Sequence, residues 1–367
     1  MKFITEKQEI VEFLQMGAAV ATRKRLTHIL ANLKLSAKDK FVEITGSDYQ
    51  IQLKAKTGVK SIVEEGETTV SAIKMSELCR SLPGNEELKF SLNKGRLTVS
   101  SQNFHADLAT LSSEDFPEFE TQKPKFSLQI PSILFKRILN KTLFCMATTE
   151  VRMYLNGTLI EIKNSQIRAI ASDGTIMGVV TKDIKELRGE DLRLILPSKA
   201  VQELSKIFPA NESLIEVTFG DSYIRVKNEN LDFTSKVIDH PYPDYEEHFP
   251  KGDSHKMVIS KENLSSALQR ASVLSDVNKR FVKFTLTNNS LELLAHNEQQ
   301  EAAEEIVETE YIGPKMVTAF NIDYLQNVLH AIDGNKVDFF LYGEEKPCEI
   351  REPGNDTEVY LLQRYRL

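Results

Sequence analysis

Apolar residues along this chain recur in two periods, and the two follow one another in the same order three times. Each round opens with a short alternating strand that runs into a helix. These openings are residues 2–5 then EKQEIVEFLQMGAAV, 126–130 then PSILFKRILNKTLFCMA, and 257–260 then KENLSSALQRASVLS. Steps of three and four, as in Ile133, Leu134, Ile138 and Leu139, predict the helices. Thr5, Pro131 and Ser260 stand where helix starts are expected, as caps or first-turn residues. Period-two pairs come next (residues 41–48, 167–173 and 291–297), then a strand and a second helix beginning near residues 69, 194 and 317. Further alternating strands close each round. One apolar face on such strands marks half-buried antiparallel sheet.

The joints repeat as well. Phe116-Pro-Glu-Phe119 and Tyr242-Pro-Asp-Tyr245 place their prolines 126 positions apart. Proline fixes an extended path there, and the flanking rings are expected to dock on the neighbouring domain. The pattern therefore predicts an α+β protein of three repeated domains, each with two helices packed on antiparallel sheets. The domains are expected at 1–122, 126–246 and 250–367.

Composition changes the picture only where it is resolved by position. The 367 residues carry 46 Lys+Arg and 53 Asp+Glu, a net charge of −7. The six helix windows (5–25, 72–82, 131–146, 197–207, 260–280 and 321–333) hold 15 basic and 9 acidic residues, a balance of +6 against −13 elsewhere. A mildly positive helix layer with acidic surroundings attracts phosphates without gripping them. With no tryptophan and no aromatic row, base stacking on single strands is not expected.

Catalytic chemistry finds little support. Phosphate-binding glycine loops, H-E-x-x-H and G-x-S-x-G are all missing from the sequence. Cys79, Cys145 and Cys348 are scattered, which suits a reducing compartment and no zinc site. His240, Asp244 and His248 have metal-like spacing only on a helix, and Pro241 and Pro243 oppose one. The acidic cluster Glu298, Glu301, Glu304 and Glu305 suits a solvated or partner-facing surface better than a cation site. The start of the chain lacks a signal-peptide core, so a cytoplasmic, cofactor-free, non-catalytic protein is expected. A scaffold that gathers peptides, and a nuclease or polymerase built on scattered carboxylates, are the alternatives.

Short segments in fixed order carry a resemblance over essentially the whole chain. They include Met-Lys-Phe at the start, Leu82-Pro-Gly84, Asp115-Phe-Pro117, Val151-Arg-Met-Tyr-Leu-Asn-Gly157, Ser172-Asp-Gly174, Phe233-Thr-Ser-Lys236, Pro243-Asp-Tyr245, Glu298-Gln299 with Glu304-Glu-Ile306, and Arg366-Leu367. In these the chain closely resembles the bacterial DNA polymerase III beta subunit, the replication sliding clamp. The resemblance implies a head-to-tail homodimer closing into a six-domain ring around duplex DNA, loaded by an ATP-driven clamp loader. It also implies tethering of replicative and repair polymerases through topology and effective concentration.

By position, it implies DNA-facing roles for Lys24, Arg25, Lys74, Thr149, Met153, Tyr154, Ser198 and Lys199. Met153 and Ser198 replace a common aromatic and arginine. It implies a cleft for partner peptides lined by Leu155, Ser172, Gly174, Thr175, Ile176, Met177, Pro243, His248, Pro347, Leu361, Leu362, Gln363, Arg364 and Tyr365. Here Thr175-Ile176 replaces a common His-Arg and Gln363-Arg-Tyr365 replaces Met-Pro-Met. At the subunit boundary it implies Ala106, in place of a frequent phenylalanine, against Val273 and Leu274.

Overall fold

The computed structural model describes residues 1–21, 29–84, 86–119, 123–184, 191–343 and 345–365. Among these, six α-helices form where the three- and four-residue periodicity placed them: α1 (Lys7–Val20), α2 (Ala72–Ser81), α3 (Ser132–Leu143), α4 (Ser198–Ile207), α5 (Lys261–Val273) and α6 (Ile322–Ala331). Their starts differ in detail from expectation. Thr5 completes the strand Lys2–Glu6 instead of capping α1, and its hydroxyl donates to Glu6 O. Glu6 takes the cap position without a side-chain bond. Pro131 ends the strand Phe126–Pro131, so α3 begins one residue later. Ser260 does cap α5, accepting from Asn263 N at 3.3 Å. Asn321 caps α6 twice, accepting from Asp323 N and Tyr324 N at 2.8 and 3.1 Å.

The chain gathers into two compact units, one formed by Met1–Lys136 with Lys199–Val237 and the other by Arg137–Ser198 with Ile238–Leu367. Strand pairing across the repeat boundaries explains the division. In the first unit, thirteen strands make one antiparallel sheet, and Leu231–Lys236 pairs with Ile51–Gly58 so that Ser235 faces Ile51. In the second, a nine-stranded sheet is continuous through the pairing of Ile176–Asp183 with Glu358–Leu362. A four-stranded sheet also belongs to the second unit, with Ala302–Glu308 as an outer strand.

Alternation along the strands turns one face toward the helices. In the first unit, Ile10 and Leu14 of α1 are fully buried in a cluster with Phe3, Leu33, Ile44 and Phe90. Each such side chain contributes roughly 1.5–3 kcal/mol relative to exposure. The helix lies so close to the sheet that a Cβ on Gly46 would stand 2.2 Å from Gly17 O. Only glycine fits that approach.

The second unit contains a buried charge cluster. The Glu358 side chain, 5% exposed, receives Arg137 Nη2 at 2.8 Å, Lys182 Nζ at 2.9 Å and Lys141 Nζ at 3.5 Å. Arg137 and Lys141 also reach Asp333 at 2.7 and 2.8 Å. These contacts tie α3 to the chain after α6 and to the strand Glu358–Leu362. No helix among the described residues is long and apolar enough to cross a membrane.

Candidate functional site

The second unit holds a cleft of about 220 Å³ beside the pairing of Ile176–Asp183 with Glu358–Leu362. Its position follows from a turn that the residues Ser172-Asp-Gly174 encode. Asp173 Oδ1 accepts from Thr175 N at 2.7 Å and Ile176 N at 2.9 Å. Ser172 Oγ donates to Ile176 O at 2.7 Å and accepts from Gly174 N at 3.0 Å. Gly174 adopts φ +94°, which L side chains rarely tolerate. Tyr324 clamps the turn by donating its hydroxyl to Asp173 Oδ2 at 2.5 Å. Burial and that bond together push the Tyr324 hydroxyl pKa well up, so it remains a donor.

From this turn the strand carries Ile176 and Met177 into its pairing with Leu362 and Leu361. Met177 and Leu361, both nearly buried, form the apolar floor with Leu155. The opposite wall comes from the joint. Pro241 and Pro243 keep that segment extended, which sets Tyr242, Pro243, Tyr245 and His248 along the opening. Tyr245 is 4% exposed, and its hydroxyl donates to Glu161 Oε2 at 3.0 Å while accepting from Arg168 Nη1 at 3.2 Å. Burial raises the pKa of this hydroxyl as well. A short 3-10 turn, Met153–Leu155, supplies the third side. Asn156 holds that turn: its Oδ1 accepts from Glu150 N and its Nδ2 donates to Glu150 O, both at 2.8 Å.

Of the expected cleft residues, Leu155, Ser172, Gly174, Thr175, Ile176, Met177, Pro243, His248, Pro347, Leu361 and Gln363 line this one space. Leu362 does not. Strand alternation turns it away from Leu361 into the core, where it is fully buried. The last residues leave the cleft for the neighbouring sheet: Tyr365 N donates to Ala319 O at 2.8 Å, and the Arg364 guanidinium sits 5.9 Å from the Phe320 ring.

Arg152, Tyr154, Tyr242 and Tyr245 line the cleft in addition. Tyr154, expected to face DNA, also packs at the cleft wall, its ring 5.6 Å from Tyr242 and 5.5 Å from His240. The aromatic-Pro-acid-aromatic joint was the available signal for Tyr242 and Tyr245. Nothing local in the sequence separates Tyr154 from its exposed neighbour Met153.

The remaining DNA candidates are spread over both units. Lys24 and Arg25 lie outside the described residues. Lys74 on α2 and Thr149 are exposed, and Met153 is 53% exposed. Ser198 opens α4 and donates its backbone N–H to Asn156 O at 2.9 Å. Lys199 is engaged within its own unit: its ammonium meets Asp48 Oδ2 at 2.5 Å and Val20 O at 2.9 Å. That carboxylate offsets the charge expected to face phosphate. Among the described residues, no three His, Cys, Asp or Glu groups gather as metal ligands.

The boundary candidates sit at open strand edges. Ala106 lies in His105–Leu111, which pairs along one side with Arg96–Ser100 but on the other meets only Thr69 and Val70 through Leu111 and Thr110. Val273, at the end of α5, is 77% exposed, and Leu274 beside it is half-buried. Among the described residues Ala302–Glu308, against which α5 packs, pairs on one side only, and it exposes Ile306 by 70%.

Comparison with known proteins finds relatives over the whole chain. Family profiles of the DNA polymerase III beta subunit match the chain in three parts: the N-terminal domain over residues 1–120, the central domain over 129–244 and the C-terminal domain over 246–365. Curated beta sliding clamps of Proteus mirabilis and Escherichia coli K12 are 32% and 31% identical, with both chains covered completely. The crystal structure of the DNA polymerase III subunit beta from Pseudomonas aeruginosa, 30% identical, superposes over the whole of both chains with a TM-score of 0.94. A sliding clamp from the same organism, bound to griselimycin, gives 0.95. The chain therefore belongs to the DNA polymerase III beta subunit family, the non-catalytic sliding clamps of bacterial replication.

Proposed function

We propose that two copies of this chain join head to tail into a ring that encircles duplex DNA and carries polymerases on its peptide cleft. The observation that carries this reading is the pair of open strand edges, one in each unit. An unpaired edge is a template for another strand. Joining His105–Leu111 of one chain to Ala302–Glu308 of the next satisfies both, and with a twofold rotation the contact closes. The exposed apolar residues Val273 and Ile306 beside the second edge then gain cover. Ala106 offers little side chain to this contact, so ring closure rests on backbone pairing and on those two residues.

Within the ring, Lys74, Thr149, Met153 and Ser198 are proposed to approach the duplex together with Lys24 and Arg25. The Lys199–Asp48 pair weakens one potential phosphate contact, which favours sliding over gripping. Leu155, Met177 and Leu361 are proposed to receive an aliphatic or aromatic anchor from the tail of a polymerase, a repair protein or an ATP-driven loader.

Sedimentation tests the closure. The chain is expected to run as a dimer at micromolar concentration. Ile306→Glu, which sets a charge on an exposed side chain of the outer strand, is expected to raise the dimer dissociation constant at least tenfold (about 1.4 kcal/mol). A monomeric wild type, or a dimer indifferent to Ile306→Glu and Val273→Glu alike, would overturn the proposed pairing.

A further inference from the structure

The turn that builds the peptide cleft occurs twice in the chain. In the first unit, Asp48 Oδ1 accepts from Gln50 N at 3.0 Å and Ile51 N at 2.8 Å. Ser47 Oγ donates to Ile51 O at 3.1 Å and accepts from Tyr49 N at 3.4 Å. Lys236 N donates to Gln50 O at 2.8 Å, as Gln363 N donates to Thr175 O at 2.9 Å in the second unit. The first joint passes over this turn just as the second passes over its own. Ser47, Tyr49, Pro117, Phe119 and Lys236 consequently border a cleft of about 250 Å³, comparable in size to the one at the second joint.

The substitutions between the two clefts change what the first can hold. Met177 and Leu361 correspond to Gln52 and Thr234, both buried, and Gln52 Nε2 points to Pro117 O at 3.5 Å. This floor does not suit a deep aliphatic anchor. Gly174 corresponds to Tyr49, which adopts φ +70° and exposes half of its surface. With Phe119 it offers two aromatic rings beside Pro117, over a polar floor where the second cleft has an apolar one. Neutral Gln363 corresponds to Lys236, whose ammonium lies 5.7 Å from the Phe119 ring. Among the described residues no carboxylate forms an ion pair with it.

We propose that the first-joint cleft is a second peptide-docking site, taking a short segment that lays an aromatic ring between Tyr49 and Phe119 and sets a carboxylate against Lys236. Aromatic contact and a charge-assisted hydrogen bond then replace the buried aliphatic anchor of the other cleft. Glu118, exposed at the rim, disfavours a segment with several acidic residues, so one carboxylate beside the ring fits best. The site does not depend on ring closure.

The test uses the full chain and an acetylated, amidated octapeptide with a central Tyr-Asp pair in an alanine-serine background, titrated by calorimetry. Saturable binding at sub-millimolar concentration is expected, weakened at least tenfold by Lys236→Glu, kept by Lys236→Arg, and weakened when the peptide's Asp is changed to Asn. Met177→Lys, which blocks the other cleft, should leave it unchanged. Binding that is lost in Met177→Lys but kept in Lys236→Glu would place the peptide in the cleft at the second joint and overturn the proposal. Failure to saturate at millimolar peptide would overturn it equally.

Discussion

Replacing Met177 with lysine is expected to lower the affinity for an aliphatic-anchored partner peptide about a hundredfold. That factor is about 2.7 kcal/mol, a loss typical of a single anchor pocket at the centre of an interface. Met177 faces the opening and is 5% exposed, so the lysine ammonium reaches the cleft along the path a ligand would use. An incoming apolar side chain would then strip water from a charge in a cleft that, among the described residues, has no carboxylate in its lining. Fluorescence anisotropy of a labelled peptide gives the affinity, and sedimentation establishes that assembly is unchanged. Affinity within threefold of wild type would show that this floor is not where the peptide anchors. Stimulation of the polymerase should fall with peptide affinity, because tethering acts through effective concentration.

The second large effect concerns stability. Burial pushes the Glu358 carboxyl up, but hydrogen bonds from Lys182 and Arg137, with the charges of Lys182 and Lys141, outweigh it and hold the pKa below the usual glutamate value. Asp333 is held low by Lys141 and Arg137 in the same way, against its own burial. Glu358→Gln keeps the shape and removes the charge. It leaves Arg137 and Lys141 with Asp333 as their carboxylate and takes from Lys182 its carboxylate partner.

Breaking a buried pair typically costs about 3–5 kcal/mol. The lower end, about 3 kcal/mol, is expected here because the Arg137 and Lys182 side chains keep 37% and 22% of their exposure. Chemical denaturation of the unit containing the cleft measures it. The pH dependence has a definite sign. A carboxylate with a depressed folded pKa contributes fully above its unfolded value, about 4.3 for glutamate. The contribution is lost as pH falls through the folded pKa. Wild type should therefore lose stability more steeply than Glu358→Gln on acidification below about pH 4.3. A variant as stable as wild type at neutral pH would remove the cluster from the account.

Much of this architecture is legible in residue order, and what escapes is mostly long-range. The strand–helix rhythm places all six helices, because apolar periodicity reports burial directly. Ser172-Asp-Gly174 and Ser47-Asp48 are recognisable as paired turns because both use local side-chain-to-backbone bonds. The pairing of Ile176–Asp183 with Glu358–Leu362 has no local signature, so the sequence alone does not separate Leu361 in the cleft from Leu362 in the core. Lys199 is similar. Nothing near it in the chain shows that Asp48, 151 positions away, lies beside it. Thr5 fails as a cap for a long-range reason too: the strand Lys2–Glu6 continues through it, paired with Glu87–Asn93.

Retention on DNA tests the central claim most directly. The protein is loaded onto a nicked circular duplex, separated from free protein, and followed before and after the circle is cut once. A ring held by topology stays on the closed circle at high salt and departs within the sliding time once an end is available. Equal rates of loss from the circle and from the linear form would contradict encirclement and reduce the protein to a surface-bound scaffold.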